Sequence, residues 1–364
     1  ISFAGGLPAA ELFPVEQMKA ASDKIFDLYG QEVLQYASTL GYLGLRKEIV
    51  KMMKERAVET SVDNIAVTTG SQQAIDLVAR MLINPGDVVI TEDPTYLAAI
   101  DVFKSYGAEM VGVPMDEDGI KTDALAETVK KYPEAKFIYT IPNFQNPTGR
   151  TMAIERRKEL IKIANEADLP VLEDDPYGAI RYAGEFLPSL KHFDTEGRVI
   201  YLSSFSKILA PGMRLGWIVA SQDFMAKFAL LEQNADLHAD NLAQYVVAQF
   251  LQDVDVTEHI KKITDVYEHR ATLMLQEIDK QFPKNVHHSI PQGGMFIWVE
   301  VPGVDTKQLF DECIKHDVAF VPGSAFFANE EQPGTFRMNF SNMNDEQIVE
   351  GVKRMGAAIK AVQN

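Results

Sequence analysis

The chain has 364 residues, 46% of them hydrophobic and 24% charged, which is ordinary for a globular protein long enough to build two domains with substantial cores. A formal net charge of -17 argues against a nucleic-acid partner, which needs a basic footprint. No apolar run reaches the length of a membrane span and no signal peptide is visible, so no membrane partner is expected.

The chain opens at Ile1 rather than methionine, which reads as a trimmed piece of a longer protein. Ser2-Phe3-Ala4-Gly5-Gly6-Leu7-Pro8 lacks helical periodicity and reads as an irregular arm whose paired glycines let backbone approach a ligand closely. Residues 15–29 read as a helix, and 35–46 as a loop running into a second helix that ends near Glu55. Short apolar runs then alternate with helical stretches. Strands are expected at 65–69, 88–91, 108–113, 137–141, 170–173, 199–202 and 215–220, and helices over 70–82, just after Tyr96, and over 123–132 and 153–167. That alternation predicts a parallel sheet with helices on both faces.

Beyond Ala220 helices dominate to about Lys280, followed by short strands at 286–290, 295–301, 318–322 and 335–340 and a closing helix over 345–362. This reads as a smaller α+β domain. The only cysteine, Cys313, lies on an amphipathic helix; it excludes an internal disulfide and fits a reducing, cytoplasmic compartment. The expected division is an arm and helix (1–30) associated with the small domain, a large domain (31–255) and the small domain itself (256–364).

The chemistry-bearing stretch is Ser203-Ser204-Phe205-Ser206-Lys207, continuing to Arg214, between two apolar strands. Ligands of open α/β sheets collect at such strand ends. A lysine held there among cationic and apolar neighbours can shed its proton and attack a carbonyl, while the serines and Arg214 suit a phosphate dianion. Gly70-Ser71-Gln72 adds unpaired amides at a helix N-terminus, a second place for phosphate or simply a helix cap. Asp174 and Asp175 follow a buried strand, where carboxylates are expensive unless paired. In 335–340 the side chains of Phe336, Met338 and Phe340 face one way, and those of Thr335, Arg337 and Asn339 the other. An arginine on such a polar face is ordinarily solvated.

Ser204-Phe205-Ser206-Lys207, Asn146-Pro147-Thr148-Gly149, Asp174 with Tyr177 three residues on, and Asp93-Pro94-Thr95-Tyr96 together resemble the fold type I, pyridoxal-phosphate-dependent aminotransferases of class I/II. The resemblance covers nearly the whole chain. It implies a three-layer α/β fold with a mainly parallel central sheet, and pyridoxal 5'-phosphate held covalently by Lys207. Asp174 would pair with the ring nitrogen, Tyr177 and Asn146 would bond the ring oxygen, and Tyr96 would stack on the ring. Ser71, Gln72, Ser204, Ser206 and Arg214 would form the phosphate cup. Arg337 would clamp the substrate carboxylate, with Asn146 and Gly6 beside it. Tyr42 would reach the phosphate of the neighbouring subunit in a homodimer, and no metal is implied.

The motif composition is most similar to the 2-aminoadipate, kynurenine and aromatic subgroup. It implies ping-pong transfer from an amino acid to a 2-oxo acid, by resemblance 2-oxoglutarate. Two rivals share the fold: the effector domain of a MocR-type regulator, and a lyase or decarboxylase using the same cofactor.

Overall fold

The structure is a computed structural model and describes residues 1–329 and 332–363. Its larger sheet is built from β1 (Ile65–Thr68), β2 (Val88–Asp93), β3 (Glu109–Asp116), β4 (Gly119–Ile120), β5 (Ile138–Thr140), β6 (Val171–Asp174), β7 (Val199–Ser204) and β8 (Gly216–Val219). These eight strands lie in the order β1-β8-β7-β6-β5-β2-β3-β4. The run from β7 through β6, β5 and β2 to β3 is parallel. β8 runs antiparallel to both its neighbours, and β4 closes a short hairpin on β3 that the sequence pattern did not signal.

Both faces of this sheet are covered, which is why its strands read as nearly continuous apolar runs. Successive residues feed opposite cores: Ile138 and Val171 enter one apolar cluster, while Tyr139 and Leu172 enter the other. Helices such as Gly70–Leu82 and Ile154–Glu166 supply the covering layers. The parallel strands β2, β5, β6 and β7 end at Asp93, Thr140, Asp174 and Ser204, so polar groups emerge along one edge of an otherwise apolar sheet.

A second sheet, in the order β11-β12-β10-β9, contains β9 (His287–His288), β10 (Phe296–Glu300), β11 (Val321–Pro322) and β12 (Thr335–Asn339). The helices Val256–Gln281 and Asp345–Gln363 pack against one another beside it. The Asp255 side chain caps the first of these by accepting from the amides of Thr257 and Glu258.

The N-terminal arm is tied to the second sheet. Phe3, fully buried, donates its amide to the Ala319 carbonyl at 2.8 Å and accepts from the Asn339 amide at 2.8 Å. That anchoring carries Gly5 and Gly6 back toward the strand ends of the first sheet. No described helix is long and apolar enough to cross a membrane.

Candidate active site

A cavity of about 390 Å³ lies where the strand ends of the large sheet meet the arm and the small sheet. Every site residue anticipated from the sequence lines it except Tyr42. In this chain Tyr42 instead stacks on Tyr245, ring centroids 3.7 Å apart.

Lys207 follows β7, and its Nζ donates to the Gly6 carbonyl at 2.8 Å. Burial, then the nearby charges of Arg337 and Arg214, push its ammonium down to about 8. An appreciable share is therefore the free amine near neutral pH. Ser204 and Ser206 are joined hydroxyl to hydroxyl at 2.9 Å, and the Ser204 oxygen also accepts the Ser206 amide at 3.0 Å.

Across from them starts the helix Gly70–Leu82, with Ser71 and Gln72 in its first turn. Gly70 suits this position by its backbone. Its φ is +73°, and a Cβ there would lie 2.8 Å from the Arg214 guanidinium. Arg214 itself is left-handed, with φ +52°. Helix N-terminal amides, serine hydroxyls and an arginine therefore line one end of the cavity, a donor set that suits a phosphate.

The two adjacent aspartates are separated by their partners. Asp175 Oδ1 accepts from Asn143 Nδ2 at 2.9 Å, while Oδ2 accepts from Arg56 at 3.0 Å and the Tyr201 hydroxyl at 2.9 Å. It is a satisfied structural ion. Asp174 Oδ2 accepts the Tyr139 hydroxyl at 2.8 Å, but Oδ1 is buried without a partner among the described residues. Burial raises this carboxyl to about 7, against the hydrogen bond from Tyr139. An unpaired acceptor on the cavity wall is what a cationic ring nitrogen would satisfy.

Arg337 is only 5% exposed, so the polar face of β12 is not solvated; it forms part of the cleft wall. Its Nη1 donates to Asn146 Oδ1 at 2.7 Å and its Nη2 to the Ala4 carbonyl at 2.8 Å, while Nε has no partner among the described residues. The guanidinium lies 4.2 Å from the centroid of the Phe296 ring. Burial lowers it to about 10, which leaves it charged at neutral pH. Tyr96 donates to Gln72 Oε1 at 3.3 Å, and burial raises the phenols of Tyr96 and Tyr177.

Sequence reasoning missed the groups behind this wall. Gln145 Nε2 donates to Glu92 at 3.1 Å and to the Pro94 carbonyl at 2.8 Å, and its Oε1 accepts from the Thr148 amide and hydroxyl. It thereby locks the loop bearing Asn146 to the loop bearing Tyr96. Tyr139 carried one faint signal, a hydroxyl-tipped ring inside an apolar strand. Phe296 carried none.

The aminotransferase class I and II family model matches residues 6–355. The chain is 42% identical to an aromatic-amino-acid aminotransferase of Thermococcus litoralis, over 99% of this chain and 88% of that one. It is 40% identical to the 2-aminoadipate transaminase of Thermus thermophilus, over 100% of this chain and 90% of that one. The crystal structure of Pyrococcus horikoshii kynurenine aminotransferase superposes with a TM-score of 0.96 at 41% identity, covering 99% of this chain and 91% of that one.

Proposed function

The chain belongs to the class I and II aminotransferases, and from that premise we propose which of its residues carry the reaction and on which substrates. It is a pyridoxal-phosphate-dependent transaminase working by ping-pong exchange. The amino donor is an aromatic, branched or 2-aminoadipate-like amino acid and the acceptor 2-oxoglutarate. The names of the relatives favour the aromatic and 2-aminoadipate-like classes, and Leu97, Ile141 and Phe296 give the cavity the apolar wall that a branched side chain would also suit.

Bound pyridoxal phosphate supplies an aldehyde that takes the amino group and a ring that accepts the electrons of the broken Cα–H bond. Lys207 would hold the cofactor, and its free amine would take up the proton lost from the substrate Cα. Its lowered pKa leaves the amine able to accept that proton. Asp174 would keep the ring nitrogen protonated, Tyr177 and Asn146 would orient the ring oxygen, and Tyr96 would cover the ring face. Ser71, Gln72, Ser204, Ser206 and Arg214 hold the phosphate, while Arg337, with Asn146 and Gly6, holds the substrate carboxylate.

The observation that carries this reading is the convergence of Lys207, the unpaired Asp174 oxygen and Arg337 on one cavity from three separate elements. The test is spectroscopic. Cofactor-loaded protein should be yellow, lose that band on adding glutamate, and regain it with 2-oxoglutarate. A band that answers to neither would favour the effector-domain or lyase readings.

The active form is proposed to be a cytoplasmic homodimer in which Tyr42 completes the partner's phosphate site. Supporting this, Leu34 and Tyr36, near Tyr42 in sequence, are 69% and 79% exposed, a high degree for apolar side chains. The division into an arm (1–30), a large domain (31–255) and a small domain (256–364) is proposed with it, supported by the two separate sheets.

A further inference from the structure

Tyr139 sits on β5, buried, its ring edge-on to Phe103 at 5.4 Å. Its neighbour across the ladder is Leu172 on β6, two residues before Asp174. Among the described residues, its hydroxyl is the side-chain partner found for the Asp174 carboxyl, at 2.8 Å to Oδ2. A phenol has one proton to give, so it engages one oxygen and leaves the other open. It also fixes the plane of a carboxyl group that would otherwise turn about its last torsion.

We propose that Tyr139 is a positioning residue: its hydroxyl orients Asp174 and keeps it ionised, so that Oδ1 is the oxygen presented to the ring nitrogen of the cofactor. This rests on the aminotransferase reading above. The surroundings oppose ionisation. Asp174 is buried, with Asp175 next in the chain, and Glu92 on β2, Tyr96 and Tyr177 also face it. A hydrogen bond donated to the charged form works the other way. Without it the carboxyl would take up a proton, and a neutral acid cannot hold a cationic nitrogen.

The experiment compares the parent chain with Tyr139→Phe, which removes the donor and keeps the ring. In the cofactor-free, full-length protein, infrared titration follows the Asp174 carboxyl, with Asp174→Asn identifying its band. The midpoint should rise by about one to two pH units in Tyr139→Phe, the size expected for one hydrogen bond to a charged group. Phe137→Leu perturbs packing on the same ring, Phe103, and should leave the midpoint in place. In loaded protein carrying nitrogen-15-labelled pyridoxal phosphate, the ring nitrogen should be protonated in the parent and at least partly deprotonated at pH 8 in Tyr139→Phe.

An unmoved midpoint, or an equal shift in Phe137→Leu, would overturn the inference. The infrared arm is read without cofactor, so that result sinks the Tyr139 assignment alone. A parent chain that takes up no pyridoxal phosphate would sink the functional reading and this inference together.

Discussion

Arg337 Nη1 donates to Asn146 Oδ1 at 2.7 Å, tying the small sheet to the loop that follows β5 in the large one. The same guanidinium spends Nη2 on the Ala4 carbonyl and keeps Nε unpaired, so arm, loop and sheet meet on one side chain. An incoming carboxylate would find a planar, charged fork already held in place. Arg337→Lys keeps a charge but loses the fork. Steady-state kinetics should show kcat/KM falling about 10²-fold for Arg337→Lys and about 10³-fold for Arg337→Ala, within the 2–5 kcal/mol range for breaking buried charge pairs. Both variants should still develop the visible cofactor band, because Arg337 is not part of the phosphate cup.

Lys207 makes cofactor capture depend on pH. With its ammonium lowered to about 8, the second-order rate of pyridoxal phosphate uptake by cofactor-free protein should climb through pH 8 and level off above it. Removing the charge at 337 should move that rise to higher pH, since Arg337 is one of the two cations pressing the lysine toward neutrality. The linkage has a definite sign. Between about 8 and the usual lysine value near 10.5 the unfolded chain binds more protons, so this group makes the cofactor-free fold more stable as pH rises through that window.

The two neighbouring aspartates should fail differently. Asp175→Asn breaks a buried ion pair with Arg56 and should cost about 3–5 kcal/mol of stability, read by denaturant unfolding. Asp174→Asn should leave the cofactor-free fold as stable or more so at pH 8, because its raised carboxyl loses stability as pH climbs from the ordinary aspartate range through about 7. Turnover should nevertheless collapse in that variant, as no carboxylate remains to keep the ring nitrogen cationic.

Gln145→Leu tests the lock between the two loops. It strands the buried Thr148 hydroxyl and amide and takes one of three donors from Glu92, which keeps the Thr140 hydroxyl and the Ile141 amide, and should destabilise the chain by roughly 2–3 kcal/mol. Glu92, already raised to about 7, should shift further upward without that donor. A raised KM for the amino acid should accompany it, since Asn146 and Tyr96 lose their common reference.

Much of the site was readable in advance because its parts sit next to strand ends, and strand ends are marked by abrupt changes from apolar to polar residues. Lys207 and Asp174 are such points, whereas the choice of Asp174 over Asp175 rested on the family resemblance, whose aspartate stands three residues before its tyrosine, as Asp174 does before Tyr177. Arg337 was harder to place. Alternation along β12 gave its face correctly, but only the packing of the arm and Phe296 explains why that face is dry. The antiparallel run of β8 and the links from Tyr139 and Gln145 depend on partners in other elements, a relation that local periodicity does not carry.

If one lysine carries the cofactor, chemical trapping will find it. The purified chain would be loaded with pyridoxal phosphate, reduced with borohydride, digested and mapped by mass spectrometry. A single phosphopyridoxyl group should appear on the peptide containing Lys207 and be absent from Lys207→Ala. Label on another lysine, or none on a protein that remains folded, would contradict that assignment.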